Sequence, residues 1–287
     1  MSERTVCDVT EALVRGWLPP RPAEGHKGTF GKVNLLSGSV GFTGAPLLAS
    51  RAAVRGGCGL VFLGVPAFGE DTAYHIVAGG CVEAMPYPVR SAADFLGKTA
   101  PDAALLGPGL GQSPEAEALV LEVLPRLSCP VVVDADGITI LSRHISVLDR
   151  REAPTLLTPH DGEFRRLTGH FPGADRAAEA AAFAQAHGCV LVLKGHHTLT
   201  AAPDGALYRN TTGNDGMAKG GSGDVLAGLL TSLLAQGMEP AKAAAAAVWV
   251  HGRAGDLAAE RFGHRGMTPS DLIEALPAVW RTLEEPV

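Results

Sequence analysis

Short, predominantly apolar runs recur along this chain, and each breaks into a loop carrying glycine or aspartate. Val33-Asn-Leu-Leu36 opens into Ser37-Gly-Ser-Val-Gly-Phe-Thr-Gly44, and Leu60-Val-Phe-Leu63 follows. Ala103-Ala-Leu-Leu106 runs into Gly107-Pro-Gly-Leu-Gly111. Further on come Pro130-Val-Val-Val-Asp134, Thr155-Leu-Leu-Thr158 before Pro159-His-Asp-Gly162, and Val190-Leu-Val-Leu193. A strand with one wet face alternates apolar and polar residues; these do not, so both of their faces must be covered. Helical stretches at Pro46–Arg55, Ala116–Leu127 and Ala177–His187 lie between them, with Pro46 suited to a first helical turn. Strand and helix in alternation predict an α/β fold, a mostly parallel sheet with helices on both faces.

The remaining segments fit around that frame. Residues 1–25 read as a short helix followed by a proline-rich arm, Trp17-Leu-Pro-Pro-Arg-Pro22. Thr198-Leu-Thr-Ala-Ala202 and Ala206-Leu-Tyr-Arg209 flank the turn Pro203-Asp-Gly205 and predict a hairpin. Three helices, Gly223–Ala235, Pro240–Arg261 and Pro269–Leu283, finish the chain. No repeat, low-complexity tract or linker divides it, so residues 1–287 are expected to form a single domain.

Composition narrows the partners. Aromatic residues make up 5% of the chain against 46% hydrophobic residues overall. The core must therefore be built from Ala, Val, Leu and Ile, which suits helices packed closely on a parallel sheet. A net charge of −6 argues against a general affinity for nucleic acid. It leaves room for a small anion, since backbone amides hold phosphates without net positive charge. Cys7, Cys58, Cys81, Cys129 and Cys189 are scattered without C-x-x-C spacing, the pattern of reduced thiols in a cytosolic protein. Met1 to Thr10 holds no apolar signal core, and no apolar run approaches the ~18 residues of a membrane span. A cytoplasmic location with no membrane partner is expected.

The strongest local signal is Asn210-Thr-Thr-Gly-Asn-Asp-Gly-Met-Ala-Lys-Gly-Gly-Ser-Gly-Asp224 leading into the apolar helix Val225-Leu-Ala-Gly-Leu-Leu230. Gly220, Gly221, Ser222 and Gly223 are small enough for their amides to approach an oxyanion at a helix N-terminus. Asp224 could take a proton from a hydroxyl attacking a phosphoryl group. The same residues also suit an ordinary glycine loop in which Asp224 stabilises the helix start. Lys194-Gly-His-His-Thr198 follows a buried strand, where Lys194 and Thr198 could hold phosphates or simply form a turn with a surface lysine. His196 and His197 are expected to face solvent, with no ligand spacing for a metal.

Other loops admit two readings each. His160 in Thr158-Pro-His-Asp-Gly-Glu163 could donate to a substrate or cap a turn. Asp134 and Asp136 could approach a ligand or cap the next helix. Gly107-Pro-Gly-Leu-Gly111 falls short of a dinucleotide fingerprint, since Pro108 interrupts it and the full G-x-G-x-x-G is missing. Lys27, in His26-Lys-Gly28, could reach a substrate phosphate or lie on the surface. His251, beside Trp249 in a helix, reads as a satisfied core histidine.

Taken in order, these motifs resemble the ADP-dependent NAD(P)H-hydrate dehydratases of the ribokinase-like superfamily. The resemblance rests on His26-Lys-Gly28, Ser37-Gly-Ser39 with Gly44-Ala45, Gly107-Pro-Gly109, Asp134-Ala-Asp136, Thr158-Pro-His160-x-x-Glu163, Lys194-Gly195-x-x-Thr198 and Gly213-Asn214 through to Asp224. It implies a ribokinase-like three-layer sandwich and the repair of hydrated nicotinamide cofactors. The substrates would be (S)-NADHX and (S)-NADPHX, with ADP consumed to AMP and phosphate. Carried over by position, Ala45, Gly109, His160 and Asp224 would contact the hydrate. Lys194, Gly195, His196, His197, Thr198, Asn214 and Gly223 would contact the nucleotide. Asp224 would be the base, beside the catalytic backbone of Gly221, Ser222 and Gly223. Magnesium is the implied counter-ion of the phosphates, with no protein ligand assigned, and a homotetramer is the implied assembly.

Thr211 stands where that pattern expects proline, and Asp215 adds a negative charge near the nucleotide loop. Many such dehydratases carry an N-terminal epimerase domain; with about 25 residues before His26, an epimerase is expected on a separate chain. The alternatives are a thiazole or hydroxymethylpyrimidine kinase of the same fold, and a nucleotide-binding protein without turnover. A conventional NAD-dependent dehydrogenase would need the missing fingerprint. The choice of ADP over ATP rests on the resemblance alone, and NADHX and NADPHX are not distinguished.

Overall fold

The computed structural model describes residues 5–285, so Met1 to Arg4 and both ends of the expected 1–287 unit lie outside the described residues. Ten strands form one sheet in the order β1-β10-β9-β8-β7-β6-β5-β2-β3-β4. They are β1 (Cys7–Asp8), β2 (Lys32–Leu36), β3 (Leu60–Pro66), β4 (Met85–Val89) and β5 (Ala103–Leu106). Then follow β6 (Val131–Val133), β7 (Thr155–Leu157), β8 (Val190–Leu193), β9 (Leu199–Ala201) and β10 (Leu207–Arg209). Strands β2 to β8 pair in parallel, and β9 runs antiparallel to both β8 and β10 as the expected hairpin. β1 adds in parallel to β10, setting Cys7 opposite Tyr208.

Helices cover both faces, as the doubly apolar strands require. One core packs Val33, Leu35, Leu105, Val132, Leu156 and Val192 against one set of helices. That set comprises α1 (Glu11–Trp17), α2 (Gly44–Arg55), α3 (Thr72–Gly80), α9 (Ser222–Ala235), α10 (Pro240–Gly266) and α11 (Pro269–Glu284). The alternate strand residues Leu36, Leu106, Val131, Val133, Leu157 and Leu191 face the second core. It is closed by α4 (Ala92–Lys98), α5 (Pro114–Val123), α6 (Asp136–Ser142), α7 (Asp161–Thr168) and α8 (Arg176–His187). Period-two partition of one strand between two dry cores is the three-layer sandwich read from the sequence.

Some elements carry too weak a local signal to be anticipated. β4 contains Pro86 and Pro88, which cannot donate to a ladder; it forms because it is the last strand of the sheet and pairs on one side only. α3, α4, α6 and α7 are likewise additions, the last two beginning immediately after the ends of β6 and β7. α10 runs past the expected Arg261 to Gly266, with a break at Gly263 (φ 68°). Within its alanine stretch, Ala243 to Ala247 are at most 1% exposed within this one chain. They pack in the core, so no second subunit can reach them.

Candidate active site

The loops after β2, β5, β6, β7 and β8 all open at the carboxyl end of the sheet, where such folds bind ligands. They interlock through backbone groups. Ser37 Oγ and the Gly38 amide both donate to the Pro108 carbonyl, at 2.5 and 2.9 Å, and Ser39 Oγ donates to the Gly109 carbonyl at 2.9 Å. Gly109 has φ +60°, and a Cβ there would lie 2.9 Å from both Ala45 Cβ and the Phe42 carbonyl oxygen. Only glycine lets the β5 loop approach the start of α2 so closely. Asp136 ties the next loop in, accepting from the Gly111 amide at 2.9 Å and Gln112 Nε2 at 3.0 Å.

A buried charge cluster sits in the middle of this edge. Lys194 Nζ donates to Asp134 Oδ1 at 3.0 Å and lies 3.6 Å from Glu163 Oε2. Thr158 Oγ1 donates to the same Asp134 oxygen at 2.7 Å. Burial works against the Lys194 charge, but Asp134, Glu163 and Asp224 outweigh it and hold its pKa above the usual lysine value. Asp134 therefore takes a structural partner rather than capping α6, and Lys194 is no surface lysine. His160 takes the cap that its sequence allowed. Its Nδ1 accepts from the Gly162 and Glu163 amides at 2.9 and 3.3 Å, while Glu163 Oε2 accepts from the His160 amide at 2.8 Å. This reciprocal cap leaves Nε2 as the proton-bearing nitrogen, 3.5 Å from Glu163 Oε1, with the ring 56% exposed.

α9 starts beside this cluster. Its N-cap is Gly221, at φ +99°, with no side-chain cap, and a Cβ at Gly221 would meet Leu48 at 2.6 Å. Among the described residues, the amides of Gly220, Gly221, Gly223 and Asp224 donate no hydrogen bond within the protein, whereas the Ser222 amide donates to the Lys219 carbonyl at 3.2 Å. The amides free to meet an anion thus include that of Asp224 and omit that of Ser222. A Cβ at Gly223 would stand 3.4 Å from Lys194 Nζ and 3.8 Å from Asp134 Oδ2, so cradle and charge cluster adjoin. Asp224 is pushed up to about 7, first by burial and then by the Asp134 charge, with Lys194 pulling it down and Asp136 and Glu163 adding to the rise. A carboxyl poised near neutrality is suited to accept a proton during turnover.

The nucleotide-side residues are more scattered. Gly195, His196 and His197 are exposed, as expected of the two histidines, and Thr198 Oγ1 donates locally to the Gly195 carbonyl at 3.0 Å. Asn214 spends its side chain on the protein: Oδ1 accepts from the Gly216 amide at 3.0 Å, and Nδ2 donates to Asp256 Oδ1 at 3.1 Å. Asp256 Oδ2 also accepts from the Gly213 amide at 3.2 Å. Thr211 donates from Oγ1 to the Val9 carbonyl at 2.8 Å, anchoring the loop where proline was expected. Asp215 lies exposed against His264 of α10, a hydrogen bond that keeps its carboxyl below the usual range.

Other candidates fall elsewhere. Lys27 precedes β2 and its carbonyl packs on Gly59 just before β3, at the amino end of the strands, so it is remote from the site. His251 is buried as expected but not satisfied, since its Nε2 has no hydrogen-bond partner. Asp256 gave no sequence signal, because a single acid inside a long helix has no local pattern. A cavity of about 450 Å³ lined by Arg15, Pro20, Gln236 and Trp280 lies at the opposite end of the sheet.

Fold and site together define a protein of the ribokinase-like class, with its anion cradle at the start of a helix and a neutral-range carboxyl beside it. Residues 33–278 match the family model for NAD(P)H-hydrate dehydratase, and the chain belongs to that family. It is 43% identical to the bifunctional NAD(P)H-hydrate repair enzyme Nnr of Moorella thermoacetica, over 97% of this chain and 54% of the relative. It is 41% identical to the ADP-dependent (S)-NAD(P)H-hydrate dehydratase of Neisseria meningitidis, over 85% of this chain and 82% of that protein. The crystal structure of the ADP/ATP-dependent NAD(P)H-hydrate dehydratase of Bacillus subtilis, co-crystallised with ATP and Mg2+, superimposes with a TM-score of 0.84 at 34% identity, over 97% of this chain and 99% of that one. The chain spans about half the length of the bifunctional relatives it matches.

Proposed function

We propose that this chain catalyses the ADP-dependent dehydration of (S)-NADHX and (S)-NADPHX, releasing AMP and phosphate and restoring the reduced cofactor. The observation that carries the reading is Asp224, a carboxyl raised to about 7 on the first turn of α9 among amides with no internal partner. Hydroxide is a poor leaving group, so water leaves the hydrated ring slowly by itself. Asp224 takes the proton of the ring hydroxyl as its oxygen attacks the terminal phosphorus of ADP. The bond from that phosphorus to the bridging oxygen breaks, and AMP leaves. The Gly220, Gly221, Gly223 and Asp224 amides hold the charge on the transferring oxygens. Phosphate then departs from the ring carbon, pushed by the adjacent nitrogen, and loss of a ring proton restores the double bond.

Ala45 and Gly109 would form the wall against the hydrate, with His160 Nε2 donating to it. Lys194, Gly195, His196, His197 and Thr198 would line the nucleotide side with Gly223, and Asn214 would serve by shaping its loop. ADP is the co-substrate, and magnesium would neutralise its phosphates when bound. Among the described residues no three metal-ligating side chains cluster, so the phosphates would supply most of the ligands. The carboxylates of Asp134 and Glu163 are hard oxygen donors of the kind magnesium accepts. ATP would serve as an alternative donor, since the Bacillus subtilis relative is ADP/ATP-dependent.

The same reading places residues 1–287 in one catalytic unit, a homotetramer working in the cytoplasm alongside an epimerase that supplies the S form. Among the described residues no helix is long and apolar enough to cross a membrane. The test is absorbance at the NADH band with S-NADHX, magnesium and ADP or ATP. Asp224→Asn should lose on the order of 10²- to 10⁴-fold in rate. A stable phosphorylated product in place of NADH would instead indicate a kinase.

A further inference from the structure

Two buried polar atoms behind the anion cradle have no partner. Ser222 is 8% exposed and its Oγ makes no hydrogen bond; His251, on α10, is 7% exposed and its Nε2 makes none. Buried polar groups are almost always satisfied, so a pair of orphans at one place calls for a cause. The two share a location, because the His251 imidazole lies against the Ser222 backbone. Burial keeps the ring neutral, pushing its pKa down to about 4 despite that backbone contact, with the Lys194 charge adding to the fall. A neutral imidazole has one nitrogen that donates and one that accepts, so it can meet both a carbonyl and a hydroxyl.

The first turn of α9 needs such support. It has no side-chain cap, it begins on a glycine with positive φ, and its free amides are the groups that must meet the transferring phosphoryl oxygens. α10 is well placed to provide it, since the same helix also holds the preceding loop. Thr212 Oγ1 donates to the Trp249 carbonyl at 2.8 Å, and Asp256 holds Gly213 and Asn214.

We propose that His251 is a positioning residue for phosphoryl transfer, bracing Ser222 from behind so that the Gly223 and Asp224 amides meet the developing oxyanion. Closure of the turn onto that oxyanion completes the hydrogen bonds that His251 Nε2 and Ser222 Oγ otherwise lack. The contact therefore strengthens in the transition state more than in the ground state, and its loss falls on kcat rather than on nucleotide affinity. This rests on the dehydratase reading.

The test compares His251→Leu, His251→Gln and Ser222→Ala with the wild type. Turnover of S-NADHX with ADP should drop on the order of 10- to 100-fold in His251→Leu. Its KM for ADP should stay within about twofold, and His251→Gln should recover most of the loss. Combining His251→Leu with Ser222→Ala should cost little more than either alone. Calorimetry of AMP with tetrafluoroaluminate, a phosphoryl mimic, reads the same contact without turnover. The mimic should bind about tenfold more weakly to His251→Leu while AMP alone binds as before. Unchanged kcat and unchanged mimic affinity in His251→Leu would overturn the proposal. So would equal losses in kcat and ADP affinity accompanied by a lower melting temperature, which describe a merely structural histidine. A wild type that produces no NADH would defeat the dehydratase reading by itself, and the mimic would then decide the inference alone.

Discussion

Lys194 Nζ donates to Asp134 Oδ1 at 3.0 Å, joining the end of β8 to the end of β6 across β7. Neither partner has another local reason to be buried, and each makes the other tolerable. Lys194→Met would leave Asp134 desolvated without its cation, a loss of about 3–5 kcal/mol for a broken buried pair. Denaturant midpoints measure this, and adding Asp134→Asn to Lys194→Met should return part of the loss. Equal midpoints for wild type and Lys194→Met would mean that the pair is already solvated.

The raised carboxyl of Asp224 sets two pH dependences of different sign. As the proposed base it must be ionised, so kcat/KM should climb with an ascending limb near pH 7, the value to which burial and Asp134 push it. The folded state binds the Asp224 proton more tightly than an unfolded chain with the ordinary value of 3.8. Its contribution to stability is therefore present at low pH and lost as pH rises from about 4 to about 7. Thermal unfolding of wild type and Asp224→Asn across that range should converge at the acid end and diverge toward neutrality, the asparagine variant being the more stable there.

Gly109→Ala asks for a Cβ 2.9 Å from Ala45 and the Phe42 carbonyl, on a residue at φ +60°. The backbone strain costs about 1–3 kcal/mol, and the β2 and β5 loops must also part. On the proposed reading that wall lines the hydrate side, so KM for S-NADHX should rise about tenfold or more while KM for ADP changes little. A rise in the ADP value instead would place the nucleotide against this wall.

Asp256→Ala removes the acceptor shared by the Gly213 amide and Asn214 Nδ2. Two hydrogen bonds of about 1 kcal/mol each are at stake, with partial replacement by water expected. Steady-state kinetics should show KM for ADP about tenfold higher, and Asp256→Asn should be milder because one oxygen acceptor survives.

Much of the architecture was legible because strands buried on both faces need no alternation, and runs such as Val131-Val-Val133 can hardly be anything else. The loops at their carboxyl ends followed from the same pattern, and Asp224 was visible because small residues crowd ahead of it. β4 was not, since Met85-Pro-Tyr-Pro-Val89 reads as a strand only once its place at the edge is known. Lys27 admitted two readings because a lysine beside glycines looks the same at either end of a strand. The alanines of α10 do not by themselves say which surface they meet; their small side chains bring the helix down onto the core.

By itself the sequence determined the main alternation of strands and helices, the two dry faces of the sheet, and the glycine-lined helix start with its carboxylate. Each of these is written in residues within a few positions of one another, where periodicity and backbone sterics act. Only the tertiary structure decided that Lys194 points inward to Asp134, that Asp256 clamps Asn214, and that His251 stands behind Ser222. Those pairs are separated by tens of residues along the chain, and their energies exist only after the sheet has excluded water and brought distant segments within hydrogen-bonding reach.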